Sequence, residues 1–153
     1  MDVTEGNKHL ARAERLCSRR EYCMQEIRIK LKAGGASEEE ADRVIESLIQ
    51  RNFLNEQRYT RAFVHDKSSL QKWGPEKIRH ALRAKRIPDA LMREALAGID
   101  AHTQKETLRR LLETKRRSLK DASPSELRTK LIRFGLSRGF SYEEVLRLII
   151  EKI

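Results

Sequence analysis

Glu38, Glu39, Glu40 and Asp42 form the densest carboxylate cluster of this sequence. Grouped carboxylates are how metal-dependent nucleases hold divalent cations. The cluster follows Ser37, however, and acidic residues in a helix's first turn complement its dipole. The helix-start role is therefore expected here. His65-Asp66 places a base beside a carboxylate, but neighbouring helical residues point in different directions, and no nucleophile is evident beside them. His9, His80 and His102 are scattered, without a second histidine at ligand spacing. Cys17 and Cys23 fit neither a zinc pair nor C-x-x-C, so both are expected as reduced, half-buried packing thiols. No G-x-x-x-x-G-K-[ST] or G-x-G-x-x-G phosphate loop is present. The expectation is a protein that is not an enzyme and uses no metal and no cofactor.

The cations are harder to set aside. The net charge is +10 over 153 residues, which makes a polyanion or an acidic protein surface the expected partner class. Residues 1–53 hold 10 Lys and Arg against 10 Asp and Glu, residues 54–100 hold 10 against 6, and residues 101–153 hold 13 against 7. The excess of 0, +4 and +6 confines the basic surface to the later two thirds. Candidate docking residues are Arg58, Arg61, Lys67, Lys72, Lys77, Arg79, Arg83, Lys85 and Arg86 in the middle third. Arg109, Arg110, Lys115, Arg116 and Arg117 follow in the last third. Contacts from such residues to phosphates give salt-dependent binding that is largely indifferent to sequence. Trp73 could stack on a base, but ahead of Gly74-Pro75 it is expected to pack over a helix start.

The elements that must position these residues show as a repeat. Ile27, Ile78 and Leu131 recur at spacings of 51 and 53, as do Ala41, Met92 and Val145. Leu10, Tyr59 and Leu108 recur at 49. A period of this length marks stacked supersecondary units, and the apolar steps of three and four within each unit are helical. Tyr59, Ala62, Phe63 and Leu70 are expected to share one face of the middle unit's first helix. The predicted fold is all-α: three tandem three-helix repeats, at residues 1–53, 54–100 and 101–153, stacked into an elongated, curved molecule. Ser37-x-x-Glu40 and Ser141-x-x-Glu144 are expected capping boxes. Ser123-Pro124 and Gly74-Pro75 place proline at the first helical position, and Gly34-Gly35 ends a helix.

Leu54-Asn55-Glu56-Gln57-Arg58-Tyr59-Thr60-Arg61-Ala62-Phe63-Val64, then Lys72-Trp73-Gly74-Pro75-Glu76-Lys77-Ile78-Arg79, then Lys85-Arg86-Ile87, resembles the central part of the RecX family of bacterial recombinase regulators. Ser18-Arg19-Arg20-Glu21, Glu26-Ile27-Arg28 and Arg138-Gly139-Phe140-Ser141 extend the likeness over almost the whole chain. Arg86 departs from the pattern, standing where the family has glycine, and Gly135 stands where an apolar side chain is expected. The resemblance implies a noncatalytic protein that binds the RecA recombinase and its filament on single-stranded DNA. It also implies inhibition of ATPase and strand exchange, and so modulation of recombination, DNA repair and the SOS response. Binding to single-stranded, and also double-stranded, DNA would be weak and without sequence preference. The competing expectation is a stand-alone helical DNA-binding protein. No apolar run approaches a membrane span, and the expected state is a cytoplasmic monomer.

Overall fold

The computed structural model describes the backbone of residues 3–152 and the side chains of residues 8–151. Among the described residues the regular structure is entirely helical. The first three helices are α1 (Val3–Arg19), α2 (Met24–Ala33) and α3 (Glu38–Gln50). The next three are α4 (Glu56–His65), continued by a π-helical turn over Asp66–Leu70, then α5 (Pro75–Ala84) and α6 (Asp89–Ala97). The last three are α7 (Ala101–Ser118), α8 (Pro124–Ser137) and α9 (Tyr142–Lys152). Each triplet closes over its own core, because one amphipathic stripe per helix is enough only when three stripes converge. Ile27, Leu31, Ile45 and Leu48 centre the first core, Tyr59, Ile78, Leu82 and Met92 the second, and Leu108, Leu131, Phe140 and Val145 the third.

The helix starts follow the chemistry of the sequence. The Ser37 and Ser123 hydroxyls accept from the Glu40 and Glu126 N–H groups, and the Asn55 and Asp100 side chains cap α4 and α7. At Ser141 both halves of the expected box form, with Glu144 accepting from the Ser141 N–H and hydroxyl. At Ser37 the return bond is missing, because Glu40 turns instead towards His9, 3.5 Å away. A further box lies at Cys23, whose N–H donates to Glu26 at 3.0 Å.

The repeat is also written in the backbone. Gly35, Arg86 and Gly139, at the same 51 and 53 spacings, all take left-handed dihedrals, with φ of 98°, 59° and 99°. Each ends the middle helix of its unit by the same turn, in which the N–H of Ala36, Ile87 or Phe140 donates back to Leu31, Leu82 or Gly135. Arg86 holds this conformation at a steric cost that glycine does not carry. Gly135 is buried, and a Cβ there would lie 2.5 Å from a Val145 methyl. Its missing side chain lets α8 and α9 approach where a larger residue would hold them apart.

Leu70 departs from expectation. It is 72% exposed rather than part of the second core. The π turn bonds residue i to i+5, as from the Gln71 N–H to the Asp66 carbonyl at 3.1 Å. A wider turn uses an extra residue, which carries Leu70 off the stripe shared by Tyr59 and Phe63.

The units join in two ways. Between the first and second, Cys23 reaches into the second core, Arg58 bonds Glu21 at 2.6 Å, and Lys85 meets Glu26 at 3.1 Å. Between the second and third, backbone meets backbone at Gly74 and Gly139. The accessible surface is 9690 Å², against roughly 8000 Å² for a compact monomer of this mass. The excess fits three small cores in series rather than one large one.

A candidate partner and nucleic-acid interface

The cations fall into three groups by what surrounds them. Arg58, Lys85 and Arg109 are half-buried and engaged within the chain. Besides Glu21, Arg58 donates to Asn52 and to the Phe53 carbonyl, closing the loop between α3 and α4. Lys85 contacts Glu26 and the Phe63 ring. Arg109 bridges Glu106 and Glu113 along α7. Arg61 and Arg79 likewise have carboxylate partners, Glu94 and Glu76. These charges are held by local fields of opposite sign, and their long side chains fix helix positions.

Lys67, Lys77 and Lys115 form the second group, lying over aromatic rings. Lys67 and Lys77 place their ammonium groups 4.7 and 4.4 Å from the centroid of Trp73, and Lys115 sits over Phe134 at 5.4 Å. Trp73 itself is half-buried against the second core, edge-on to Phe63 with centroids 6.5 Å apart. It fixes the approach to Gly74-Pro75, as its place in the sequence suggests.

The third group is exposed and without carboxylate partners: Lys72, Arg83, Arg86, Arg116 and Arg117. Arg110 is nearly so, 79% exposed at its side chain and 4.0 Å from Glu106. Lys120, next to the Lys115-Arg116-Arg117 run, shares this exposed state, as do Arg128, Lys130, Arg133 and Arg147, which are absent from the candidates above. They do not form a run in the sequence as Lys115-Arg116-Arg117 does, and charge density along the chain is a poor guide to charge density on a folded surface. The structure therefore gathers the free cations chiefly on the third unit.

The junctions also carry clefts. One of about 550 Å³ lies between the second and third units, lined by Trp73, Phe140, Arg61, Lys72, Asp100 and Thr103 among others. Another of about 510 Å³ lies between the first and second, lined by Arg20, Glu26, Phe63, Lys67, Leu70 and Lys85. Burial alone would push the Glu26 carboxyl up. The Cys23 N–H, Lys85 and Arg20 outweigh it and hold the group below the usual carboxylate range. Burial pushes the Cys23 thiol up to about 11, so it is a protonated packing group. Cys17 is half-buried, but Cys23 is wholly buried, a correction to the half-buried pair expected from the sequence. Among the described residues no three His, Cys, Asp or Glu side chains converge as metal ligands do. No described helix is long and apolar enough to cross a membrane.

Family models for the first, second and third three-helix domains of RecX match residues 10–48, 55–96 and 103–149. The chain belongs to the RecX family. The RecX regulatory protein of Chlorobaculum tepidum is 31% identical over 153 residues, covering 98% of this chain and 93% of that protein. That of Clostridium botulinum is 33% identical over 129 residues, 83% of this chain but 60% of the relative, so the chain spans about three fifths of the clostridial protein. The crystal structure of RecX from Lactobacillus salivarius superposes with a TM-score of 0.87 over 98% of this chain and 97% of that one, at 23% identity. At that identity the likeness speaks for the fold alone. Within the RecX domain matches, Arg83 and Arg86 fall in the second domain, and Arg116, Arg117, Lys120, Arg128, Lys130, Arg133 and Arg147 in the third.

Proposed function

We propose that this chain is a noncatalytic regulator of the RecA recombinase, acting on its filament on single-stranded DNA. It dampens ATPase and strand exchange and so modulates recombination, DNA repair and the SOS response. The observation that carries the reading is the set of exposed, carboxylate-free cations on the second and third domains of a RecX-family protein. Lys72, Arg83, Arg86, Arg110, Arg116 and Arg117 meet acidic protein surface or DNA phosphate, while Arg58, Arg61, Arg79, Lys85 and Arg109 hold the units in place. Lys67, Lys77 and Lys115 keep their charge available above aromatic rings.

The mechanism follows from three cores in series. A monomer elongated across its three units, divided at residues 1–53, 54–100 and 101–153, spans neighbouring recombinase subunits along the filament groove. Spanning them obstructs the conformational cycle that hydrolysis requires, or the addition of further subunits. The DNA share of the affinity is weak, salt-dependent and indifferent to sequence, because phosphates are its target. The test is RecA ATPase and strand exchange with this protein at stoichiometric concentration over a range of salt. Inhibition that weakens as salt rises is expected. Unchanged rates would defeat the proposal, and tight sequence-dependent binding to bare duplex would point to a stand-alone DNA-binding protein instead.

A further inference from the structure

The π-helical turn Asp66–Leu70 is the ridge between the two clefts. Ser68 and Ser69 line the cleft towards the third unit, whereas Asp66, Lys67 and Leu70 line the one towards the first. Leu70 at its end is, at 72% exposure, the most exposed large apolar side chain among the described residues. The segment closes through Lys72, a non-glycine residue at φ 61°. Two unfavourable conformations, a π turn and a left-handed lysine, follow one another at this exposed leucine. Such strain gathers at sites of binding and switching. Lys67 lines the same cleft as Leu70, Lys72 lines the other, and Lys67 and Lys77 lie over Trp73, none of the three paired with a carboxylate.

Resting on the reading of the chain as a recombinase regulator, we infer that this ridge is its protein-docking element: Leu70 inserts into an apolar pocket on an acidic protein surface. The three ammonium groups meet carboxylates around that pocket, and the two flanking clefts receive the edges of the partner. An apolar knob ringed by polar contacts that exclude water is the anatomy of an interface hot spot. Charge complementarity fixes the partner as acidic. Nucleic acid is the poorer match, since single strands bind by stacking on aromatic faces. Leucine offers none, and Trp73 is half-buried with ammonium groups already over its ring.

The test compares wild type, Leu70→Ser and Leu70→Met. Each is assayed for binding to a RecA filament on single-stranded DNA held by a non-hydrolysable ATP analogue, and to the bare oligonucleotide. Because Leu70 is exposed, melting is expected to be unchanged in both variants. Leu70→Ser is expected to bind the filament at least about tenfold more weakly, with Leu70→Met close to wild type and bare-DNA binding unaltered. Filament binding retained by Leu70→Ser would overturn the inference while leaving the regulator reading intact. An equal loss on bare DNA would overturn it by making the ridge a nucleic-acid surface, and loss of self-association in Leu70→Ser would reassign it to a second copy of the chain. Failure of the wild type to bind the filament at all would remove both.

Discussion

Gly74 and Gly139 meet backbone to backbone across the junction of the second and third units. The Gly74 N–H donates to the Arg138 carbonyl at 2.7 Å, the Glu76 N–H donates to the Gly139 carbonyl at 2.9 Å, and a Cβ on either glycine would overlap the other segment. Gly74 caps α5, but its close approach is a second reason for glycine. Its equivalent in the first unit is Cys23, 51 residues earlier and also a helix N-cap.

Gly74→Ala is expected to lower stability by about 1–3 kcal/mol, the usual cost of forcing extra atoms into a packed contact. Urea unfolding measures it. Unchanged stability would mean that the two segments separate readily in solution.

Glu26 makes the other junction sensitive to acid. Its folded-state pKa lies below the unfolded value of about 4.3, so its contribution is present above that value and lost as pH falls through the depressed one. Glu26→Gln should cost about 2 kcal/mol at pH 7, as loss of charge-assisted hydrogen bonds does. The variant should converge on wild type as the pH falls through that depressed value. A constant difference across the titration would rule out the ionised carboxylate as the source.

Arg86 sits in the left-handed corner that glycine fills in the other two units. Arg86→Gly should raise stability by about 0.5–1 kcal/mol, relief of the steric cost exceeding the added freedom of the unfolded chain. The same change removes a free charge. If Arg86 docks, inhibition of RecA ATPase should weaken while the melting temperature rises, an opposition that a purely structural residue would not show.

Gly135 and Val145 should be coupled. Gly135→Ala is expected to destabilise by about 1–3 kcal/mol by overpacking, and adding Val145→Ala should recover part of the loss. The double-mutant cycle measures their interaction, and strict additivity would disprove the contact.

Arg116, Arg117 and Lys120 are exposed at the end of α7, so reversing all three should leave the fold intact and weaken DNA binding. The slope of log K against log salt on single strands should fall by about 2. Arg58→Gln should do the reverse, costing about 1–3 kcal/mol of stability through its lost hydrogen bonds and leaving that slope unchanged. Identical behaviour of the two variants would dissolve the distinction between docking and structural cations.

The helices and their repetition were legible because local signals define them. Ser37, Asn55, Ser123 and Ser141 cap through atoms a few residues away, Pro75 and Pro124 accept a helix start, and apolar stripes keep the 3.6 period. The 51 and 53 spacings appear equally in Ile27, Ile78 and Leu131 and in the left-handed corners. The basic character of the later units was legible too, as a sum of charges. Leu70 was misplaced because a π turn has no strong local signature, and one extra residue rotates everything after it.

Which cations remain free was decided only by the tertiary structure. Arg58 and Arg116 are the same residue type, yet Glu21, Asn52 and Phe53 converge on one and no carboxylate reaches the other. Partners 37 residues apart, as Glu21 and Arg58 are, leave no mark on a helical period. The sequence by itself determined three helical units and their net charge, since both depend on near neighbours and on composition. The folded chain determined where that charge is neutralised, where Gly74 must lie against Gly139 and where Leu70 emerges, since those depend on which distant segments meet.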